Sequence, residues 1–276
     1  MLRVLVTAQA FLLLITSGFF IRSFAQEKQS VWQHQLGYEH ILLSDQQNSP
    51  LLYQSNNLNI ATDFLSVREA SQHKISIQFS LGNNQSKRHG QRVATLSDPV
   101  DMYGVQESWE TEANPSLSLV NINLSYAYLS KLSLGGTSLY LGAEISDNFY
   151  QTGIGLDNWF FNGLSLGPKL AKTFNHKKLS FPLEISFPLI AAITSTPYAK
   201  DPSKPVDSYF TPYLQETRIA LPDQFRRLNF SLSVRITTHE EKVHSLGVMY
   251  QFYGLGYYYY EPLRMISNSF SIVYQH

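Results

Sequence analysis

The chain of 276 residues carries 21 basic and 21 acidic side chains, so its formal net charge at pH 7 is zero. A protein that binds nucleic acid through its phosphates needs an excess of positive charge, and this balance argues against one. Charged residues make up only 15% of the chain while aromatic residues reach 13%, and no cysteine is present. The composition therefore excludes disulfide bonds and is unusual for a soluble exported domain, in which roughly a quarter of residues are charged.

Residues 1–25 predict a secretory signal peptide. Arg3 supplies the positive charge, Phe11–Ile21 forms a short apolar run, and Ser23 and Ala25 are the small residues that a signal peptidase reads. The apolar run is too short for a good membrane-spanning helix. We expect cleavage after residue 25 and a mature domain over residues 26–276, long enough for one large β domain.

Beyond residue 25 the main pattern is alternation of apolar and polar residues, which is typical of β-strands with two different faces. In "VNINLSYAY", residues 120–128, every second side chain is apolar or aromatic. The alternation predicts ten strands, near residues 31–43, 58–68, 74–82, 118–130, 138–149, 163–174, 179–193, 228–238, 244–254 and 269–275.

The stretch "LSFPLEISFPLIAAI", residues 179–193, shows the alternation most clearly. Every second residue from Leu179 to Ile193 is apolar, which predicts one wholly apolar strand face. Pro182 and Pro188 each remove a ladder donor, so they predict bulges or a shorter strand.

Two features indicate that these apolar faces contact lipid. The polar faces carry mostly Ser, Asn, Gly, Gln and Thr, which suit a crowded hydrogen-bonded lumen better than bulk water. Long predicted connections also alternate strictly with short ones such as "NHKK" at 175–178, a pattern typical of outer-membrane barrels, whose long loops are extracellular. The long connections are predicted near 44–57, 83–117, 150–162, 194–227 and 255–268.

In these patterns the chain from residue 26 onward resembles the outer-membrane β-barrel proteins of Gram-negative bacteria. Members usually end in a strand of alternating aromatic residues with a terminal Phe; Phe270, Ile272 and Tyr274 fit, while His276 replaces the terminal aromatic. The resemblance implies an all-β fold, a single closed antiparallel transmembrane β-barrel of about ten strands, with eight or twelve as alternatives. It also implies residence in the cell outer membrane, with lipid including lipopolysaccharide and the outer-membrane assembly machinery as partners.

Four inward positions on consecutive predicted strands carry opposite charges: Glu144, Lys169, Glu184 and Arg235. Charges inside a barrel are tolerated only when they are paired or hydrated. The series therefore predicts a lumenal charge network. Such a network either fills and rigidifies a narrow barrel or forms the charged constriction of a pore.

No motif indicates a cofactor, a metal site or a catalytic centre. "HEEKVH", residues 239–244, is one residue too long for the zinc motif H-E-x-x-H and lies in a predicted strand–turn–strand. "GIGLDN" and "GLGYYY" lack the third glycine of a dinucleotide site. Histidines and acids are also predicted on the loop side, but their spacing singles out no dyad; these residues are His40, His89, Asp45, Asp98, Asp101 and Asp157.

The sequence thus favours a membrane barrel with a structural, surface-binding or narrow small-solute channel role. Loops 83–117 and 194–227 are long enough to bind a surface ligand or to fold into the lumen. One alternative is an outer-membrane hydrolase, directed at lipid or peptide, with its site at the extracellular rim. Another is a soluble periplasmic β-sandwich, in which the apolar face of 179–193 would be buried under a second sheet.

Overall fold

The computed structural model describes residues 29–46, 52–87, 93–97, 108–112, 117–134, 137–154, 157–195, 217–237, 244–258 and 262–276. These residues form β1 (Gln29–Asp45), β2 (Leu52–Val67), β3 (Ser71–Ser86), β4 (Val93–Ser97), β5 (Ser108–Glu112), β6 (Leu117–Leu134), β7 (Thr137–Ile154), β8 (Asp157–His176), β9 (Leu179–Ser186), β10 (Ile190–Ser195), β11 (Arg218–Ala220), β12 (Phe225–Thr237), β13 (Ser245–Tyr257) and β14 (Leu263–Gln275). No helix in this part of the chain has the length and apolarity of a membrane span. The predicted signal peptide lies outside the described residues.

Ten of the strands close into one antiparallel barrel. Each pairs with two neighbours in the circular order β1, β2, β3, β6, β7, β8, β9, β12, β13 and β14, and the pairing of β8 with β9 completes the ring. β10 continues β9 along β8, β11 pairs with β10, and β4 and β5 form a separate hairpin. The prediction of a closed ten-stranded antiparallel barrel is confirmed. The sandwich alternative is wrong, because a closed sheet leaves no second sheet to cover the 179–193 face.

The register sets the tilt of the strands. Direct partners run around the ring from His176 of β8 through Leu179, Ile236, Leu246, Tyr274, His34, Thr62, Ile77, Leu124 and Asp147 to Leu164, again on β8. One circuit thus returns twelve residues further along β8, from position 176 to position 164. A stagger of this size in ten strands belongs to a barrel tilted by about 40°.

The strands extend further than the alternation predicted at one end of the barrel. We call it the loop end, where β1 ends and β2 begins, and the opposite end the turn end. The predicted connections 44–57, 150–162 and 255–268 are largely strand; β7, for example, ends at Ile154 and β8 begins at Asp157. Several outward residues near the loop end are polar, among them Gln54, Asn83 and Gln151. The backbone ladder therefore continues after the hydropathy pattern has ended.

The outer face of the barrel carries an apolar belt. Its large side chains are exposed on strands all around the ring, and they include Leu36, Leu58, Ile77, Phe79, Leu124, Leu166, Leu228, Leu246, Val248, Ile266, Phe270 and Ile272. Soluble monomers rarely expose a continuous apolar surface of this extent. The inward face of the same strands holds Ser, Asn and Gln, so the pattern of a membrane barrel is complete.

A bulge interrupts the wall between β9 and β10. Between the pairs Lys169–Ser186 and Leu166–Ile190, two residues of β8 face three residues of the other strand. Pro188 lies among these three, where its missing N–H costs no ladder bond. Pairing of β9 with β12 is likewise interrupted at residues 181–182, which include the second proline.

The bulge changes which residues face outward. Leu189 and Ile190 are both exposed, whereas Ala191 and Ile193 are only 2% and 1% exposed and face the lumen. The prediction of one apolar outward face from Leu179 to Ile193 is therefore wrong for its last two members. One extra residue shifts a period of two by one position and reverses both faces.

We expect Gly167→Ala to destabilise the barrel by about 2 kcal/mol, because overpacking costs about 1–3 kcal/mol. A Cβ at residue 167 would lie 2.0 Å from the carbonyl oxygen of Phe187 and 2.5 Å from Pro188 Cα, both in the bulge. Gly163→Ala on the same strand is the control, since its nearest neighbour is the flexible ring edge of Phe161 at 3.3 Å. Urea unfolding in detergent micelles measures both, and equal midpoints for the two variants would contradict the role of the bulge.

Candidate functional site: the barrel lumen

The lumen is divided into three layers along the barrel axis. A charge network lies nearest the turn end, a polar cavity lies above it, and an apolar layer fills the loop end. All three are built from inward side chains of the strands themselves.

Lys169 is the centre of the charge network. Its Nζ lies 2.6 Å from Glu144 Oε2 and 3.0 Å from Glu184 Oε2. Lys74 Nζ continues the chain, at 2.8 Å from Glu184 Oε1 and 3.3 Å from Asp63 Oδ2. Acids and bases thus alternate from Asp63 through to Glu144. Each charge of this network has a partner of opposite sign, as a low-dielectric interior requires.

The network crosses the lumen. Lys74 lies on β3 and Glu184 on β9, four strands apart in one direction around the ring and six in the other. The Lys74–Glu184 pair therefore joins nearly opposite walls. Arg227 of β12 reaches β7, three strands away around the ring: its Nη2 donates to Ser146 Oγ and lies 3.7 Å from Glu144 Oε1. With Arg227 included, three cations face three carboxylates.

The structure brings together three of the four predicted network residues: Glu144, Lys169 and Glu184. Arg235 lies apart, closer to the turn end, and its described partners are neutral. Its Nη2 donates to Gln33 Oε1 at 2.6 Å, its Nε donates to Ser233 Oγ at 3.1 Å, and its Nη1 donates to Gln275. Gln33 in turn donates to Asp63, so Arg235 connects to the network through an amide.

Sequence reasoning missed Asp63, Lys74 and Arg227. Lys74 lies on the same strand face as Ser76, so the alternation alone is sufficient to predict that it faces the lumen. Asp63 lies on β2, whose alternation is irregular. Arg227 is the last residue of the predicted connection 194–227, and the sequence therefore predicts a loop position for it.

The charge network lines one end of a polar cavity of about 110 Å³ that extends toward the loop end. Among its lining residues, Glu39 is buried; its Oε1 accepts a hydrogen bond from Ser267 Oγ at 2.6 Å, and its Oε2 has no protein partner. The side-chain oxygens of Gln35 and Asn121 also lack protein partners there. A polar cavity of this size holds several water molecules, which would satisfy these atoms.

The apolar layer lies at the loop end of the lumen. Its members are buried side chains from nearly every strand of the wall: Ile41, Leu43, Tyr53, Leu119, Tyr150, Phe161, Ala191, Ile193, Ala220, Phe225, Leu255, Tyr257, Leu263 and Met265. The ring of Tyr150 lies 6.4 Å from that of Phe161 and 6.2 Å from that of Tyr253. No sequence argument predicted this layer, since many of its residues lie outside the predicted strands and the alternation placed Ala191 and Ile193 on the lipid face.

The described residues form no group of three or more His, Asp and Glu that could hold a metal ion. His40 lies on the outer face, where its Nδ1 is 2.8 Å from Asn56 Oδ1, whereas Asp45 is buried on the inner face of the same strand. His244 pairs with Tyr274 at 3.3 Å. His89, Asp98, Asp101 and residues 239–243 of the "HEEKVH" segment lie outside the described residues.

We expect Lys169→Met to lower the free energy of unfolding by about 3–5 kcal/mol, the usual loss when one partner of a buried ion pair is removed. The substitution leaves Glu144 without its lysine, in a site where that carboxylate side chain is 6% exposed. Arg235→Met is the matched control and should cost about 1–2 kcal/mol, because it removes hydrogen bonds to neutral groups. Urea unfolding in micelles gives both values, and equal losses would show that Lys169 is not the centre of the network.

Comparison with solved structures finds other membrane barrels. The outer membrane protease OmpT of Escherichia coli matches over 90% of this chain and 96% of its own length, with 8% identity and a TM-score of 0.49. The β domain of the Bordetella autotransporter BrkA matches over 89% and 98%, with 8% identity and a TM-score of 0.42. Ail, the attachment invasion locus protein of Yersinia pestis, matches over 90% and 99%, with 6% identity and a TM-score of 0.28.

No protein-family model and no curated protein sequence matches the chain. The likenesses to solved structures carry no information on activity at these identities and scores. The molecule's own features decide its class: the ten-stranded sheet is closed, its outer belt is apolar and its lumen is polar. The chain is a transmembrane β-barrel.

Proposed function

We propose that the protein is a sealed outer-membrane barrel with a structural or surface-binding role, and that it does not form an open pore. The observation that carries this proposal is the apolar layer, whose side chains are 0–5% exposed and come from nearly every strand of the wall. A solute that passes the barrel would have to cross it.

Two physical barriers lie in series along the lumen. An apolar constriction excludes water and therefore hydrated ions. Below it, the Lys74–Glu184 pair joins nearly opposite walls, and a passing solute would have to separate two paired charges. Removing one partner from a buried pair costs about 3–5 kcal/mol. The charge network thus supports the role of a rigid filling over that of a selectivity filter.

A sealed barrel leaves the surface loops as the sites of function. We propose that the parts of the predicted loops 83–117 and 194–227 that lie outside the barrel strands are extracellular and present the surface for a ligand, on a scaffold held rigid by the lumenal layers. The signal peptide over residues 1–25 and insertion of domain 26–276 by the outer-membrane assembly machinery belong to the same proposal. The hydrolase alternative gains no support from the described residues, since His40 and Asp45 lie on opposite faces of β1.

The sealed lumen predicts that the purified protein shows no stepwise conductance in planar bilayers and no uptake of small sugars in liposome swelling. The double variant Tyr150→Ala/Phe161→Ala removes two facing rings from the apolar layer and should produce a measurable leak. The matched control is Phe149→Ala/Phe160→Ala, which removes a ring pair 5.0 Å apart on the outer face of the same two strands.

The control variant should remain as tight as the wild type. Folding of each variant is checked by the shift in gel mobility that barrels show on boiling. Sugar uptake or regular conductance by the wild type would overturn the sealed-barrel proposal and favour the narrow channel. A leak of equal size from both double variants would mean that it comes from a disturbed wall and not from the lumen.

A further inference from the structure

Two arginines and a tyrosine form a cluster on the outer face at the loop end. Arg226 of β12 is paired with Gly256 of β13, and Gly256 is paired with Arg264 of β14, so the three residues form one row across three adjacent strands. The ring of Tyr258 lies over the glycine. Cζ of Arg226 is 5.9 Å from the ring centroid and Cζ of Arg264 is 5.8 Å from it. We call these three side chains, Arg226, Tyr258 and Arg264, the arginine clamp.

Gly256 makes the clamp sterically feasible. A Cβ at this position would lie 2.7 Å from both Cε2 and the hydroxyl oxygen of Tyr258. Any larger residue would push the ring out of the slot between the two arginines. The backbone of Tyr258 is also held in place, since its N–H donates to the carbonyl of Gln224 at 2.8 Å. Both guanidinium groups lie within the distance of a cation–π contact, so one ring holds the two of them close together.

The clamp lies at the upper edge of the apolar belt. The next outward residues toward the turn end are Leu228 on β12 and Ile266 on β14, and each is 44% exposed. Arg226 and Arg264 are themselves exposed. A membrane barrel places such a boundary at the level of the lipid headgroups, where long cationic side chains are stable. The clamp thus combines an apolar surface for acyl chains with positive charge at headgroup height.

The charge of the clamp is not neutralised by the rest of the described chain. The ion pairs among described residues involve neither Arg226 nor Arg264. Arg226 uses its Nε to donate to the carbonyl of Pro222 at 3.3 Å, which leaves its two terminal nitrogens available. Two guanidinium groups on one row offer forked donors to a group with several anionic oxygens, and phosphate fits this geometry.

We propose that the arginine clamp binds a phosphate group of a phosphorylated lipid on the loop side of the membrane, while its acyl chains lie on Leu228 and Ile266. The proposal rests on the membrane-spanning fold and does not depend on the sealed lumen. Free phosphate is the alternative ligand with the same anionic oxygens, but it has no acyl chains to contact the apolar belt.

The test is a titration of the folded chain in dodecyl maltoside with mixed micelles that contain bisphosphorylated lipid A. We expect Arg226→Gln/Arg264→Gln to raise the apparent Kd at least about tenfold, because the variant loses the charge-assisted hydrogen bonds to the phosphate. Tyr258→Leu should also raise the Kd, whereas Tyr258→Phe keeps the ring and should bind as the wild type does. Lys172→Gln is the matched control; its Nζ lies 4.7 Å from the ring centroid of Phe174 at the turn end.

Three outcomes would overturn the proposal. The double variant could bind lipid A as tightly as the wild type, Lys172→Gln could lose as much affinity as the double variant, or dephosphorylated lipid A could bind equally well. Inorganic phosphate that binds wild type with the affinity of lipid A would exclude a lipid source. Each variant is first shown to fold by its gel mobility shift. Arg226→Lys/Arg264→Lys, which keeps the charge but loses the fork, should bind between the wild type and the double Gln variant.

Discussion

An unpaired backbone N–H or C=O group costs several kcal/mol in the hydrocarbon interior of a bilayer, where no water can satisfy it. A sheet avoids this cost only by closing on itself, and the pairing of β8 with β9 performs that closure here. Each strand must then present one face to lipid and the other to the lumen. The apolar belt, the polar interior and the pairing of the lumenal charges follow from this constraint.

Closure at ten strands also limits what the lumen can be. A barrel of this size has little more interior space than its own side chains occupy. The chain fills that space differently along the axis: with paired charges near the turn end, with a hydrated polar cavity in the middle, and with aromatic and aliphatic side chains at the loop end. The charges of the lumenal network are balanced and paired with one another, which suits side chains that fill the lumen permanently. The cations at the loop-end rim, Arg226 and Arg264, are stacked on a tyrosine and remain available.

The sequence predicted the fold well and the lumenal site in part. Ten predicted strands correspond to the ten strands of the ring, with β9 and β10 as one predicted segment. Glu144, Lys169 and Glu184 were named because they interrupt polar faces with charge. Asp63 and Arg227 were missed because the alternation around them is irregular or ends. The apolar layer was missed for a related reason. Between the belt and the loop end the inward residues are apolar and several outward residues are polar, which is the reverse of the pattern in the belt.

The sequence by itself determined where the central parts of the ten strands lie and which face most of their side chains take, because the two-residue period is a local property of extended backbone. Only the tertiary structure decided the twelve-residue stagger, and with it which side chains meet across the lumen. The Lys74–Glu184 pair and the row of Arg226, Gly256 and Arg264 depend on this stagger and on pairings between strands distant in the chain. The tertiary structure also decided the bulge at Pro188, because it depends on how β9 and β10 pair with β8. One extra residue opposite Gly167 moves Ala191 and Ile193 from the lipid face to the lumen.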